Sequence, residues 1–190
     1  MYTDEATFLA ALGAHTTHDF ENYAAGTVIT NQLPGINAVT TNGNLGSTQA
    51  EVGSIAGLPF PMSPSTSSGD RFLSSELSPP TYATAGLRFQ MALPATGVGM
   101  YVVDGSPLAG FEISLTSGGS SLGTYNFGPQ TVPSSFVGVI SDTAFDYVAV
   151  GSASEFDSWG IDDLSHNAVP EPGTLAALGL GMAALRRRRR

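Results

Sequence analysis

Leu87-Arg88-Phe89-Gln90-Met91-Ala92-Leu93 carries an apolar side chain at every other position. Successive side chains of an extended chain point to opposite faces, so Leu87, Phe89, Met91 and Leu93 share one side, and Arg88 and Gln90 the other. This is the pattern of a half-buried strand, not of a helix with its period of 3.6. The same period recurs outward from this stretch. Val98 to Val103 follows after Pro94 to Gly97. Phe111, Ile113 and Leu115 alternate with Glu112, Ser114 and Thr116, and Ser117-Gly118-Gly119-Ser120 then turns the chain into Leu122 to Phe127. Turn chemistry of that kind predicts a β-hairpin. Phe136 to Ile140, Ala144 to Val150 and Phe156 to Ser165 extend the series.

Upstream, His18-Asp19-Phe20-Glu21 reads as a strand, with a turn at Ala25-Gly26 and a second strand over Thr27 to Thr30. Asn31 to Gly35 is a turn, and Ile36 to Thr41 is extended again. Gly43 to Pro80 holds five prolines (Pro59, Pro61, Pro64, Pro79 and Pro80), which predicts a surface excursion with short pairings only. One helix is expected, capped by Thr3, with Asp4 and Glu5 in its first turn, Phe8, Leu9 and Leu12 on its apolar face, and Gly13 as its stop. About eight to ten short strands at this spacing predict an all-β fold. The expected architecture is an antiparallel β-sandwich of jelly-roll type, with one short N-terminal helix and an apolar helix or tail at the C-terminus. The domain reading is residues 1–14 as a helix packed on the body, 15–168 as the sandwich and 169–190 as a tail.

Charge is unevenly spread. The chain has 16 acids against 7 basic residues and no cysteine or lysine. Before residue 170 only Arg71 and Arg88 are basic, against 15 acids, a net of −13. Nucleic-acid binding rests on phosphate neutralisation, so a body of this kind excludes nucleic acid as its partner. Without cysteine there is no disulfide and no thiolate site. Met1 to Leu12 has acids where a signal peptide needs a basic region, and its apolar run is too short. The expectation is a leader upstream of this start, or one already removed.

The last residues, PEPGTLAALGLGMAALRRRRR from Pro170 to Arg190, fall into three parts. Pro170-Glu171-Pro172 is stiff and extended, because proline fixes its own φ and biases the residue before it. Thr174 to Leu185 is apolar and uncharged, and Arg186, Arg187, Arg188, Arg189 and Arg190 close the chain. An apolar segment that ends in arginines halts in a membrane with the cluster on the cytoplasmic side. The apolar run spans only about 18 Å as a helix against roughly 30 Å of hydrocarbon core. Arginine snorkelling and the uncharged flank from Val169 narrow that gap.

Val169-Pro170-Glu171-Pro172, the short Gly/Ala/Leu segment and the arginine cluster together resemble the PEP-CTERM sorting signal. That resemblance implies an exported protein of a Gram-negative bacterium that makes extracellular polymeric substance. It implies an exosortase-type membrane peptidase as partner, with the chain tethered to the inner membrane before processing. Afterwards the protein would be periplasmic, at the cell surface or in the extracellular matrix. The body is similar to the sandwich domains attached to such tails, and more loosely to carbohydrate-binding jelly rolls and MAM-type domains. The residues that carry this likeness are Asp19-Phe20-Glu21 with Gly26-Thr27, Phe136-Val137-Gly138-Val139, and Trp159-Gly160-Ile161-Asp162-Asp163-Leu164.

Four acids form a candidate metal set. In similar jelly rolls the first and last core strands run side by side and a calcium often sits near their ends, which here points to Asp19, Glu21, Asp162 and Asp163. Calcium takes six to eight oxygens, and carboxylates with carbonyls supply them. The competing reading is solvated edge acids. No cofactor beyond calcium is implied. His18 and His166 would approach each other under the same pairing, although neither has a His or Cys neighbour at zinc spacing.

Trp159, Tyr125 and Tyr82 are the candidate sugar-stacking aromatics, since an exposed ring face packs on the C–H face of a sugar. Trp159 also falls at strand period beside Ile161, which suits a core residue equally well. Gly119-Ser120-Ser121-Leu122-Gly123 matches a serine-nucleophile pattern, but it lies in a hairpin, where the required strand–turn–helix elbow is absent. No catalytic residue is assigned. The sequence reading is a non-enzymatic cell-surface or matrix protein, with a carbohydrate-binding module for exopolysaccharide as the alternative. A jelly-roll glycoside hydrolase or lyase comes third.

Overall fold

The computed structural model describes residues 1–41, 49–55, 66–74, 86–103, 110–129, 134–152 and 159–169. Within them α1 (Glu5–Leu12) is followed by β1 (Thr16–His18), β2 (Ile36–Thr41), β3 (Glu51–Ser54) and β4 (Arg71–Ser74). Next come β5 (Leu87–Val103), β6 (Gly110–Ser117), β7 (Ser120–Pro129), β8 (Ser134–Ser152) and β9 (Gly160–His166). Every strand pair is antiparallel. The chain is an all-β antiparallel β-sandwich.

Two long strands hold the layers together. β5 pairs with β8 at both ends, Leu87–Gln90 against Val150–Tyr147 and Gly97–Val103 against Ile140–Ser134, and the register breaks around Ala95. Partners change across that break. The first half of β5 also pairs with β2 and the second half with β9, while the far end of β8 pairs with β6 and, through it, β7. Irregularities of this kind let one strand turn a corner between layers. The sequence pattern had split each of these strands in two, at Pro94 to Gly97 and at Ser141 to Thr143. Both are continuous, because pairing carries across the breaks.

Other boundaries also move. Phe20 has a φ of 59°, which ends β1 at His18 rather than at Glu21. Thr27 to Thr30 forms no named strand but bridges Val28 to Glu51, with backbone bonds from Ile29 N to Ala50 O, Val52 N to Thr27 O and Val39 N to Thr30 O. The last strand begins at Gly160, and Phe156 lies outside the described residues.

The alternation read from the sequence sets the core. Leu87, Phe89 and Met91 are buried, Arg88 is half-buried and Gln90 is exposed, while Leu93 departs from the pattern at 46% exposure. The second half of β5 is buried on both faces. Val98, Met100 and Val102 point into the main core, and Gly97 and Gly99 lie beneath α1. The helix is capped by Asp4 rather than Thr3, since the Asp4 carboxylate accepts from Thr7 N at 2.8 Å. Phe8 is fully buried and rests on Gly99 and Gly138, where the missing Cβ atoms leave room for its ring. Tyr101 donates to Glu5 Oε2 at 3.0 Å, and burial followed by that carboxylate pushes the Tyr101 hydroxyl up to about 12.

A Cβ at Gly99 would lie 2.7 Å from both Phe8 Cε1 and Phe136 Cζ. Gly99→Ala is therefore expected to destabilise the fold by about 1–3 kcal/mol, the usual cost of overpacking. Chemical denaturation of the variant measures this directly, and an unchanged midpoint would contradict the helix-on-glycine packing.

Candidate functional site

The C-terminal root of the fold is tied down residue by residue. β9 ends at His166, and the Asn167 carboxamide oxygen then accepts from Thr96 N and Gly97 N at 2.9 and 3.0 Å. Asn167 Nδ2 donates to Thr96 Oγ1 at 2.8 Å, and Val169 N donates to Pro94 O at 2.7 Å. These bonds occupy the bend of β5 and satisfy backbone groups that its ladder leaves free. The described chain is thus tied to the body as far as Val169. Pro170, Glu171, Pro172 and the arginines Arg186 to Arg190 lie outside the described residues, as does the apolar run between them. Among the described residues no helix is long and apolar enough to cross a membrane.

A second feature sits on the edge of β9 opposite β5. β4 pairs with Gly160 and Ile161, β1 pairs with Leu164 to His166, and Asp162 and Asp163 fall in the gap between them. The register against β5 also shifts here, and Asp163 has a φ of 47°. The segment Ser67 to Arg71 fills the gap. Asp162 Oδ2 accepts from Ser67 N, Ser68 N and Ser67 Oγ at 3.0, 3.0 and 2.9 Å, and Asp162 Oδ1 accepts from Asp163 N at 2.8 Å. Asp163 Oδ1 accepts from Ser68 Oγ at 3.1 Å. Glu21 Oε1 accepts from Asp70 N and Arg71 N at 2.9 and 2.6 Å, while Asp19 Oδ1 accepts from Glu21 N at 3.2 Å.

The expected convergence of Asp19, Glu21, Asp162 and Asp163 is therefore real in part, because three of them grip one segment. What their bonds form is an anchor for Ser67 to Arg71. Lone pairs that would face a cation are aimed at amide and hydroxyl hydrogens, and among the described residues no group of three or more His, Cys, Asp or Glu could hold a metal ion. Asp162 is wholly buried, and that burial pushes its carboxyl up to about 6 against the opposing pull of Ser68 N.

The histidine approach read from the sequence occurs. His18 pairs opposite Leu164 and His166 opposite Thr16, and the two Nε2 atoms are 3.3 Å apart. Both rings are buried. Burial first, and the neighbouring His166 second, lower His18 to about 4; burial also lowers His166.

The aromatic candidates separate. Trp159 is only 5% exposed and packs edge-on against Phe111, with ring centroids 5.2 Å apart. Its faces lie in the core, so it cannot be an exposed sugar platform. Tyr125 on β7 is half-buried against the core, and Tyr82 lies outside the described residues. Ser121 lies on β7 opposite Thr116, with Gly118 and Gly119 forming the turn before it, so its pattern match has no elbow. The root at Asn167 and Val169 escaped sequence reading. An Asn one residue past a strand was its only signal.

Comparison with solved structures finds the K2 cleaved adhesin domain of Lys-gingipain at 17% identity, covering 82% of this chain and 99% of that one, with a TM-score of 0.57. The K1 cleaved adhesin domain of the same protein from Porphyromonas gingivalis W83 aligns at 14% identity over 83% and 100% of the two chains, with a TM-score of 0.44. A mutant of a family 29 carbohydrate-binding module aligns at 9% identity over 84% and 99%, with a TM-score of 0.43. The K2 domain shares the fold, and at that identity nothing finer. Comparison with curated proteins returns no match. The PEP-CTERM protein-sorting motif matches residues 168–190. This β-sandwich therefore carries at its C-terminus, from residue 168 and including the Val169 tie to Pro94, the PEP-CTERM sorting motif that marks an exported protein sorted at the membrane.

Proposed function

We propose that this protein is a non-enzymatic, exported surface or matrix sandwich, tethered to the inner membrane by its tail until an exosortase-type peptidase processes it near Pro170-Glu171-Pro172. The observation that carries the reading is the position of the sorting motif. It begins at residue 168, where the described chain is still tied to β5 by Val169 N on Pro94 O. Cleavage beyond Val169 leaves every described strand and every described core side chain in the released body. The five terminal arginines stay on the cytoplasmic side during this step.

The non-enzymatic reading is supported by the lack of lysine and cysteine nucleophiles, by the hairpin setting of Ser121, and by carboxylates committed to backbone amides. Any contact with exopolysaccharide falls to surfaces other than the Trp159 ring.

Replacement of Pro170, Glu171 and Pro172 by alanine tests the proposal in a host with an exosortase system. The variant is expected to accumulate at full length in the inner-membrane fraction, while the parent chain appears as a shorter form outside it. Intact-mass analysis of both fractions reads the result, and normal maturation of the variant would overturn the sorting role.

A further inference from the structure

Two imidazoles meet where β1 runs beside β9. Their Nε2 atoms are 3.3 Å apart, while the ring centroids are 5.4 Å apart and the planes 26° from parallel. The rings are stacked near parallel, and the two Nε2 atoms approach more closely than the ring centroids. A tetrahedral ion with nitrogen ligands at about 2.0–2.1 Å separates two such donors by about 3.3–3.4 Å. The pair already has that spacing.

The tautomer decides which ring nitrogens carry the lone pairs. His166 Nδ1 lies 3.3 Å from the Asn167 carbonyl, and the tautomer that donates to this carbonyl carries its lone pair on Nε2. The Pro34 carbonyl acts on both rings against the lowering by burial, so one oxygen is near the pair. Access runs past Gly35, an exposed residue with a φ of 82°. A Cβ there would lie 2.6 Å from His166 Cε1 and 3.2 Å from Nε2, so only a glycine leaves that edge uncovered. Asp19, next to His18, supplies nearby negative charge.

We propose that His18 and His166 form a binding site for one zinc-class dication, held between their Nε2 atoms, with the Pro34 carbonyl as third ligand and a fourth position open to water or an external donor. Binding moves the single shared proton off the Nε2 edge, and both imidazoles act as neutral ligands. This site is separate from the acid junction and from the sorting tail. With only two imidazoles it exchanges its metal readily, which suits a metal-responsive clasp between the first and last strands.

The test uses the full chain in detergent, stripped with chelator and titrated with Zn²⁺, then with Co²⁺, whose visible absorption is strong only in a four-coordinate tetrahedral site. One equivalent is expected to bind. At 100 times the dissociation constant Zn²⁺ should raise Tm by about 5–10 °C, and chelator should reverse this. His18→Gln and His166→Gln should each abolish the cobalt spectrum, whereas His15→Gln should leave it intact. Should the glutamine variants not fold, ¹⁵N spectra of the wild-type histidines decide instead, since Zn²⁺ must shift the Nε2 resonances of His18 and His166 together. No metal-dependent change in either resonance, or a cobalt spectrum that survives both substitutions, leaves a hydrogen-bonded pair only and overturns the proposal.

Discussion

Trp159→Ala is expected to destabilise the fold by about 3–5 kcal/mol, the range for emptying an aromatic from a packed core. For a body of this size that is a fall in Tm of about 6–20 °C. Trp159 is nearly excluded from solvent, meets Phe111 at an interplanar angle of 86°, and its carbonyl accepts from Ser74 Oγ at 3.0 Å. Alanine would leave a cavity between β6 and the entry to β9, and neighbours held in two ladders have little freedom to collapse into it. The backbone bond to Ser74 survives the substitution, so the loss reports the side chain. A thermal midpoint within a degree or two of the parent would mean that the ring is not in the core. The result also bears on sugar binding. If glycan retention falls in this variant, loss of fold is the expected cause, and the comparison has to be made well below its Tm.

The second large effect concerns acid. The Asp162 carboxyl is raised to about 6 by burial, so its contribution to stability is fully present below the unfolded value near 3.8 and is lost as pH rises through 6. His18 is lowered from 6.5 to about 4, again chiefly by burial, so its contribution is present at neutral pH and is lost as pH falls from 6.5 towards 4. Each shift of two units or slightly more corresponds to about 3 kcal/mol. The two act in one window with opposite sign and largely cancel, and His166, lowered in the same sense as His18, tips the balance towards acid loss.

Asp162→Asn removes one side of that balance. The variant is expected to carry a constant cost, because its amide nitrogen must face either the serine amides or Asp163 N. On top of that, its stability should fall about 3 kcal/mol more steeply than the parent's between pH 6.5 and pH 4. Urea midpoints at intervals across this range measure the slope. Parallel profiles for the two proteins would show that Asp162 titrates normally and is not enclosed as described.

Much of this was legible in the chain. Strand period alone placed Leu87, Phe89 and Met91 inside, and Phe111, Ile113 and Leu115 likewise. The Gly118-Gly119 hairpin followed from turn chemistry, and pairing of the first and last strands brought His18 to His166. What the pattern missed has a common cause. Pro94 and Ser141 looked like breaks because local rules cannot register a long strand that keeps pairing after it bends. Thr3 and Asp4 are both competent caps, and only the helix's actual start, with Asp4 Oδ1 on Thr7 N, separates them.

The sequence by itself determined the fold class, the strand period and the order of the sorting tail, because side-chain alternation, proline stiffness and the segregation of apolar and arginine residues are local properties. The tertiary structure alone decided the work of individual side chains. Asp162 and Glu21 hold Ser67 to Arg71 because β4 and β1 meet the same edge of β9 end to end and leave backbone amides in the gap. Trp159 is core because it leads into a strand with neighbours on both edges. Register and edge coverage depend on residues far apart in the chain, and no short pattern encodes them.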